Sequence, residues 1–247
     1  MNKLSVVIIT YNAERKLEEV LKQVKKVSDD IILVDSGSSD RTLSIAQQYQ
    51  TSIYTKDWLG YGTQKNFGND QAVNDWILSI DSDEVLSDQL IEELKHLHLE
   101  EGKLYSIPFT NYYCGKIIRH GRWRNERHVR LFQRSKVSWN RDGVHEGLTI
   151  GDAEIVSLKN CILHYSMNSG EMHLKKASHY AQIGAKKLYQ QGKKSSVMKR
   201  YANPVFRFFM DYILYQGFLD GRLGFQIALI SAKETYWKYK HLNKLNQ

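Results

Sequence analysis

Residues 76–86 read WILSIDSDEVL, a run of strand-forming side chains that ends in Asp81, Asp83 and Glu84. Carboxylates gathered at the edge of an apolar core repel one another and lose solvation unless a cation, a basic partner or water compensates. In an extended chain, residues two apart point to the same side, so Asp81 and Asp83 are spaced to reach one hard cation or its bound water. Mg²⁺ or Mn²⁺ held by one or two carboxylates keeps open positions that substrate phosphates fill. A second stretch with chemistry in it is NRDGVHEGL at 140–148, where Asp142, His145 and Glu146 lie beside a glycine in an otherwise basic region. Any of the three is of a type that can take a proton from an attacking hydroxyl.

The elements that must position these groups alternate. Leu4–Thr10 reads as a strand, and Leu17, Val20, Leu21, Val24 and Val27 then fall at helical spacing. A second strand at Ile31–Asp35 is broken by SGSSDRT before a helix over Leu43–Tyr49. Ser52–Tyr54 is a third strand, the glycine-rich GYGTQKNFGND leads into a short helix, and Trp76–Asp81 is a further strand. Ser87 is placed to cap a helix carrying Leu90, Ile91, Leu94 and Leu97. Continuously apolar strands alternating with helices predict an α/β fold, a mostly parallel Rossmann-like sheet covered by helices on both faces. In such sheets ligands bind beyond the carboxyl ends of the strands, where Thr10–Asn12, Asp35–Ser38 and Asp81–Glu84 collect. Plainer roles stand beside each of these: helix capping for Asp35 and especially Asp40, a solvated surface position for Lys65, and packing for Tyr11.

SVVIITYNAE, ILVDSGSSDRT, GYGTQKNFG and WILSIDSDE, in that order, resemble the nucleotide-sugar-binding half of family 2 inverting glycosyltransferases of the GT-A fold. RLFQRSKVSWNRDGVHEGL and the tail motif GFLDGRLGFQ are similar to a subgroup that adds β-1,4-glucose to the inner core of bacterial lipopolysaccharide. The resemblance implies transfer of a sugar from a UDP-sugar, UDP-glucose above all, with inversion and a divalent metal (Mg or Mn), onto a lipopolysaccharide core or other lipid-linked saccharide. It assigns Thr10, Tyr11, Asn12, Glu14, Asp35 and Gly37 to the nucleotide pocket, with Asp35 near the base. Lys65 is assigned to the pyrophosphate, Asp81 to the ribose or metal, and Asp83 to the metal. Glu146 is its first choice of base, with Asp142 and His145 open as alternatives, and His145 is also assigned to the metal sphere. Arg130 and Arg127 either position diphosphate and acceptor or pair with the acids of the site. The implied organisation is a donor half over 1–105, an acceptor and catalytic half over 106–171, and a helical basic region over 172–247. Asp-x-Asp-x-Val also resembles the nucleophile motif of haloacid-dehalogenase-type phosphatases, but some eighty residues of α/β structure precede it and no later acidic pair follows.

Charge is unevenly spread. The first hundred residues carry 10 Lys and Arg against 17 Asp and Glu, whereas the rest carry 25 against 10. Such asymmetry suits an anionic partner for the second part. A basic RNA-binding module is the non-enzymatic alternative; no RNA-binding signature is present, so no nucleic acid is expected. Tyr201, Val205, Phe208, Tyr212, Tyr215 and Leu219 fall alternately four and three apart, predicting one helical stripe flanked by Lys193, Lys194, Lys199, Arg200 and Arg207. That pattern predicts a peripheral contact with an anionic membrane surface. Two cysteines provide no disulfide framework, and no apolar run reaches the roughly 18 residues that span a bilayer, so the expected location is cytoplasmic, at the inner face of the membrane.

Overall fold

The structure of the protein is a computed structural model that describes residues 3–140 and 147–246. The chain divides into two compact units, one of residues 1–109 and 127–164, the other of 110–126 and 165–247.

The first unit has the α/β fold expected from the sequence. β1 (Leu4–Thr10) is buried along its whole length, and α1 (Leu17–Val24) buries Leu17, Val20, Leu21 and Val24. β2 (Asp30–Asp35), α2 (Thr42–Gln48), β3 (Ser52–Thr55), α3 (Tyr61–Gln71) and β4 (Trp76–Asp81) follow. β1 pairs in parallel with β2 and β4, and β2 with β3, which gives the order β3-β2-β1-β4. Parallel pairing places the ends of β1, β2 and β4 along one edge, so three loops distant in sequence meet there.

After β4 come β5 (Glu84–Leu86) and α4 (Asp88–His96), whose first turn is capped by the Ser87 hydroxyl accepting from Leu90 N at 3.2 Å. Next are β6 (Leu104–Tyr113), the two-residue β7 (Lys116–Ile117), β8 (Arg127–Gln133), β9 (Ile155–Ser157) and β10 (Ile162–Met167). β8 runs antiparallel to β4 and β6, and the start of β10 runs antiparallel to β5. Val7, Ile9, Ile32, Val34, Ile77, Phe132 and Trp139 close the core of this unit.

One expectation is corrected by packing. The glycine-rich segment does not precede a helix; it is α3. Its glycines mark close approach: a Cβ on Gly62 would lie 2.0 Å from the Asn140 carbonyl oxygen, and one on Gly68 would lie 2.5 Å from Val7. The helix reaches sheet and loop only where these side chains are absent.

In the second unit α5 (Gly170–Gln190) buries Ala177, Ala181 and Ala185 at one-turn spacing, which lets it lie close against α7 (Gly221–Leu245). His173 Nδ1 meets Tyr113 Oη at 3.3 Å; burial pushes the imidazole down to about 4 and the phenol up to about 12. α6 (Val197–Phe209) also packs on α7, and a π-turn at Met210–Leu214 follows it. Gln216 then adopts a left-handed conformation before a 3₁₀ turn at Gly217–Asp220. The single stripe from Tyr201 to Leu219 is therefore broken. Phe208 and Tyr212 pack around Phe225, and Tyr201 lies against Tyr236, whereas Tyr215 and Leu219 belong to other turns.

Candidate active site

The loops after β1 and β2 are laced into one surface. Ser36 N donates to Thr10 O at 3.0 Å, Asn12 N to Ser38 Oγ at 2.8 Å, and Ser39 N to Asn12 Oδ1 at 2.9 Å. Asn12 takes φ 48°, a conformation its short amide tolerates. Glu14 N donates to Asp40 Oδ2 at 3.1 Å, and the Glu14 carboxylate accepts from Arg41 Nε at 3.1 Å. Asp40 also accepts from Thr42 N at 3.0 Å, one residue before the N-cap of α2, Arg41; burial works against its charge, but these hydrogen bonds outweigh it and hold the carboxyl below its ordinary value.

Asp35 is fully buried, and one of its oxygens accepts from Gly37 N at 2.9 Å and Ser38 N at 2.8 Å. Gly37, at φ 87°, is the turn that lets those N–H groups fold back on the carboxylate. Tyr11 is 63% exposed, which removes the packing role considered for it and leaves its ring free at the crevice. The buried Thr10 hydroxyl has no hydrogen-bond partner among the described residues.

The centre of the site is a buried charge network. Lys65, fully buried on α3, pairs with Asp81 Oδ1 at 3.0 Å and lies 4.6 Å from the centre of the Trp139 ring. A surface role for Lys65 is thereby excluded. Arg130, on β8 and also buried, reaches Asp81 Oδ2 at 3.3 Å and makes a short contact with Glu84, while its guanidinium lies over Phe109. The other Glu84 oxygen accepts a hydrogen bond from Asp81 N at 3.0 Å. Burial alone would raise the Asp81 carboxyl; Lys65 and then Arg130 overcome it and hold the group far below the usual carboxylate range. At Glu84 burial outweighs Arg130, and the group stands above its ordinary value. Two cations and two carboxylates in one largely buried cluster compensate each other, which answers how Asp81 and Glu84 can end an apolar strand.

Asp83 is placed differently. The chain turns at Ser82 and Asp83 instead of extending, so the alternation that would align Asp81 with Asp83 ends at β4. Asp83 is about one-third exposed and its nearest basic partner is His164, with Nε2 at 3.7 Å from Oδ1. The antiparallel register that sets His164 opposite Glu84 brings this imidazole to the turn, and Phe109 supports it edge-on. Among the described residues no group of three His, Cys, Asp or Glu could hold a metal ion. An accessible carboxylate beside an imidazole fits a cation that takes its remaining ligands from a diphosphate. Both oxygens of Asp81 already face cations. Asp142, His145 and Glu146 lie outside the described residues.

The base of that segment is described. Asn66 on α3 clamps the Trp139 backbone through two hydrogen bonds of 2.8 Å, and Asn140 N donates to Gly147 O at 2.8 Å. The anchors of 141–146 thus stand beside the helix that carries Lys65.

The model of the family described as Glycosyl transferase family 2 matches residues 5–156, more than half of the chain. The chain belongs to that family. An uncharacterized glycosyltransferase of Rickettsia felis is 30% identical over 262 residues, covering 100% of this chain and 90% of the relative. The lipopolysaccharide core biosynthesis glycosyltransferase LpsC of Rhizobium meliloti is 26% identical, covering 96% of this chain and 93% of its own. Among solved structures, the mannosyltransferase PcManGT of Pyrobaculum calidifontis shares the fold with a TM-score of 0.53 at 14% identity, covering 95% of this chain and 86% of that one.

In this family 2 glycosyltransferase the phosphatase-like reading of DSDEV loses its footing, since the carboxylate that would attack, Asp81, is clamped between two cations. Of the residues the sequence singled out, β-sheet topology gathers Thr10, Asn12, Asp35, Lys65, Asp81, Asp83 and Arg130 in one unit. Arg127 instead donates to Leu158 O at 3.1 Å. Trp123 and Trp139 both pack into cores. The residue that sequence reasoning missed is His164, in CILHYSM, a plain strand with no motif around it; only its pairing with β5 marks it. Glu84 was visible as part of the acid cluster, but not as the brace of Asp81.

Proposed function

We propose that this glycosyltransferase moves glucose from UDP-glucose, with inversion at the anomeric carbon, onto a heptose of the lipopolysaccharide inner core, in a reaction that needs Mg²⁺ or Mn²⁺. The observation that carries the reading is the pairing of a buried Lys65–Asp81–Arg130–Glu84 network with an accessible Asp83–His164 pair at the carboxyl ends of a family 2 sheet. The name of LpsC supports a lipopolysaccharide acceptor. PcManGT, with the same fold, is known in complex with GDP-mannose and Mn²⁺.

Thr10, Tyr11, Asn12, Glu14, Asp35 and Gly37 form the nucleotide wall in this reading. Tyr11 offers a ring to the base and the unpaired Thr10 hydroxyl a hydrogen bond, while Asp35 shapes the loop through Gly37 and Ser38. Lys65 and Arg130 lie on the diphosphate side in this reading and fix Asp81 toward the ribose. Asp83 and His164 would hold the cation, which when bound neutralises charge on the departing diphosphate. Glu146 removes the proton of the acceptor hydroxyl, with Asp142 and His145 as the alternatives to be separated by mutation. The division into a donor half (1–105), an acceptor half (106–171) and a basic helical region (172–247) belongs to the same proposal. So do a lipid-linked acceptor and an anionic membrane surface on the cytoplasmic side; among the described residues no helix is long and apolar enough to cross a membrane.

The deciding experiment is product analysis with a panel of UDP- and GDP-sugars and a heptose-containing core acceptor, with and without Mn²⁺. Transfer from UDP-glucose that disappears with chelator is the expected result. Turnover with GDP-mannose alone, or transfer that ignores chelation, refutes the donor or metal assignment respectively.

A further inference from the structure

α6 reverses the usual polarity of a surface helix. Among its residues Val197, Met198, Tyr201, Val205, Phe206 and Phe209 are between 47% and 77% exposed, while Asn203 and Arg207 share the half-buried side with Pro204 and Phe208. None of its residues is fully buried. At 3.6 residues per turn the six exposed apolar positions fill about half the helix circumference, opposite the half-buried side. An exposed apolar patch of this continuity marks a contact surface on a soluble chain.

Charge says what covers it. Residues 191–209 hold Lys193, Lys194, Lys199, Arg200 and Arg207 and no Asp or Glu. Arg207, on the half-buried side, is already held by Asp211 at 2.7 Å; a second copy would bring the other four cations against their own like, whereas an anionic headgroup layer neutralises them. Arg200 stacks over the Tyr201 ring at 4.9 Å and donates to its hydroxyl at 2.9 Å, which holds cation and aromatic together, the pairing suited to the headgroup level.

We propose that α6 docks this protein on an anionic lipid surface by its outward face, with Phe206 and Phe209 entering the headgroup–acyl boundary and Lys193, Lys194 and Lys199 contacting the headgroups. The face is not the regular stripe of the sequence: Phe208 and Tyr212, which belong to that stripe, are engaged with Phe225 and serve to fasten the helix. The proposal deepens the membrane partner named above and rests on that reading only for its purpose, the delivery of a lipid-borne acceptor.

Co-sedimentation tests it, using vesicles of phosphatidylcholine alone or of equal parts phosphatidylcholine and phosphatidylglycerol, with the full chain and no acceptor. The wild type should bind the anionic vesicles at low salt and release at high salt. Phe206→Ser with Phe209→Ser, both exposed positions, should keep the circular dichroism and melting temperature and weaken vesicle binding about tenfold or more. Lys193→Gln, Lys194→Gln and Lys199→Gln should each weaken it about fivefold. Equal binding to neutral and anionic vesicles, or unchanged binding by the double serine variant, overturns the proposal. So does a concentration-dependent dimer that the serine variant abolishes in a protein that ignores vesicles. Transfer to a delipidated, water-soluble core acceptor is the separate control: transfer without vesicle binding sinks the docking and spares the activity, and vesicle binding without transfer does the reverse.

Discussion

Lys65→Met tests the electrostatic core of the site. Lys65 is fully buried and holds Asp81 Oδ1 at 3.0 Å, while Arg130 holds the other oxygen at 3.3 Å and also serves Glu84. Methionine fills nearly the same volume, so the change removes charge and leaves packing. It leaves two carboxylates to share one guanidinium in a largely buried site. Removing one partner of a buried pair costs about 3–5 kcal/mol, because the other charge stays buried without compensation. For a chain of this size that is a fall in melting temperature of roughly 6–20 °C, at about 2–4 °C per kcal/mol. The pH dependence carries the sign. The Asp81 carboxyl is depressed in the folded protein, so its stabilisation is present above the ordinary value of 3.8 and is lost as pH falls toward the folded one. The gap between wild type and Lys65→Met should therefore be widest near neutrality and narrow below about pH 4. Calorimetry across that range, repeated on an Asp81→Asn background, is the assay. The double variant should recover part of the loss, since the unpaired charge is gone. A loss below about 1 kcal/mol, or a loss of equal size with Asp81→Asn already present, would show that Lys65 and Asp81 are not coupled as described.

Three other outcomes are expected. Asp83→Ala, at an accessible turn, should change stability by no more than about 0.5 kcal/mol yet abolish Mn²⁺-dependent UDP release; near-normal turnover with Mn²⁺ refutes its role. Glu146→Gln should lower turnover by about a hundredfold with nucleotide-sugar binding little changed in calorimetry, and a crippled Asp142→Asn beside an active Glu146→Gln would move the base to Asp142. His173 is held down to about 4 by burial from an ordinary 6.5, so stability should be full above about pH 6.5 and decline by roughly 3 kcal/mol as pH falls to 4. Thermal melts that are flat over that window, or that slope equally in His173→Gln, contradict this.

The sequence determined the first unit up to α4 and the position of its crevice. Continuously apolar strands and a helical period in Leu17, Val20, Leu21 and Val24 are local signals, and each reports which face of its own element must be buried. Parallel order then follows from short crossovers of one hand, which bring Thr10, Asp35 and Asp81 to one edge without further information. Ser87 could be read as a cap because its partner, Leu90 N, lies three residues away.

Tertiary structure decided what each charged group does there. The sequence left Lys65 open between the diphosphate and a solvated surface position; it is buried because Gly62 and Gly68 let α3 press against the Asn140 backbone and Val7, and because Asp81 awaits it. Arg130 had two roles open until β8 paired with β4 and set it beside Asp81 and Glu84. His164 joined Asp83 through the β5–β10 register, and in α6 the period foretold a basic amphipathic helix but not which residues face outward: Phe208 of the expected stripe packs on Phe225, whereas Phe206 and Phe209 are exposed. The reason is common to all four. Periodicity and composition are properties of one segment, whereas burial and ion pairing are properties of two segments whose meeting is fixed by the register and close packing of everything between them.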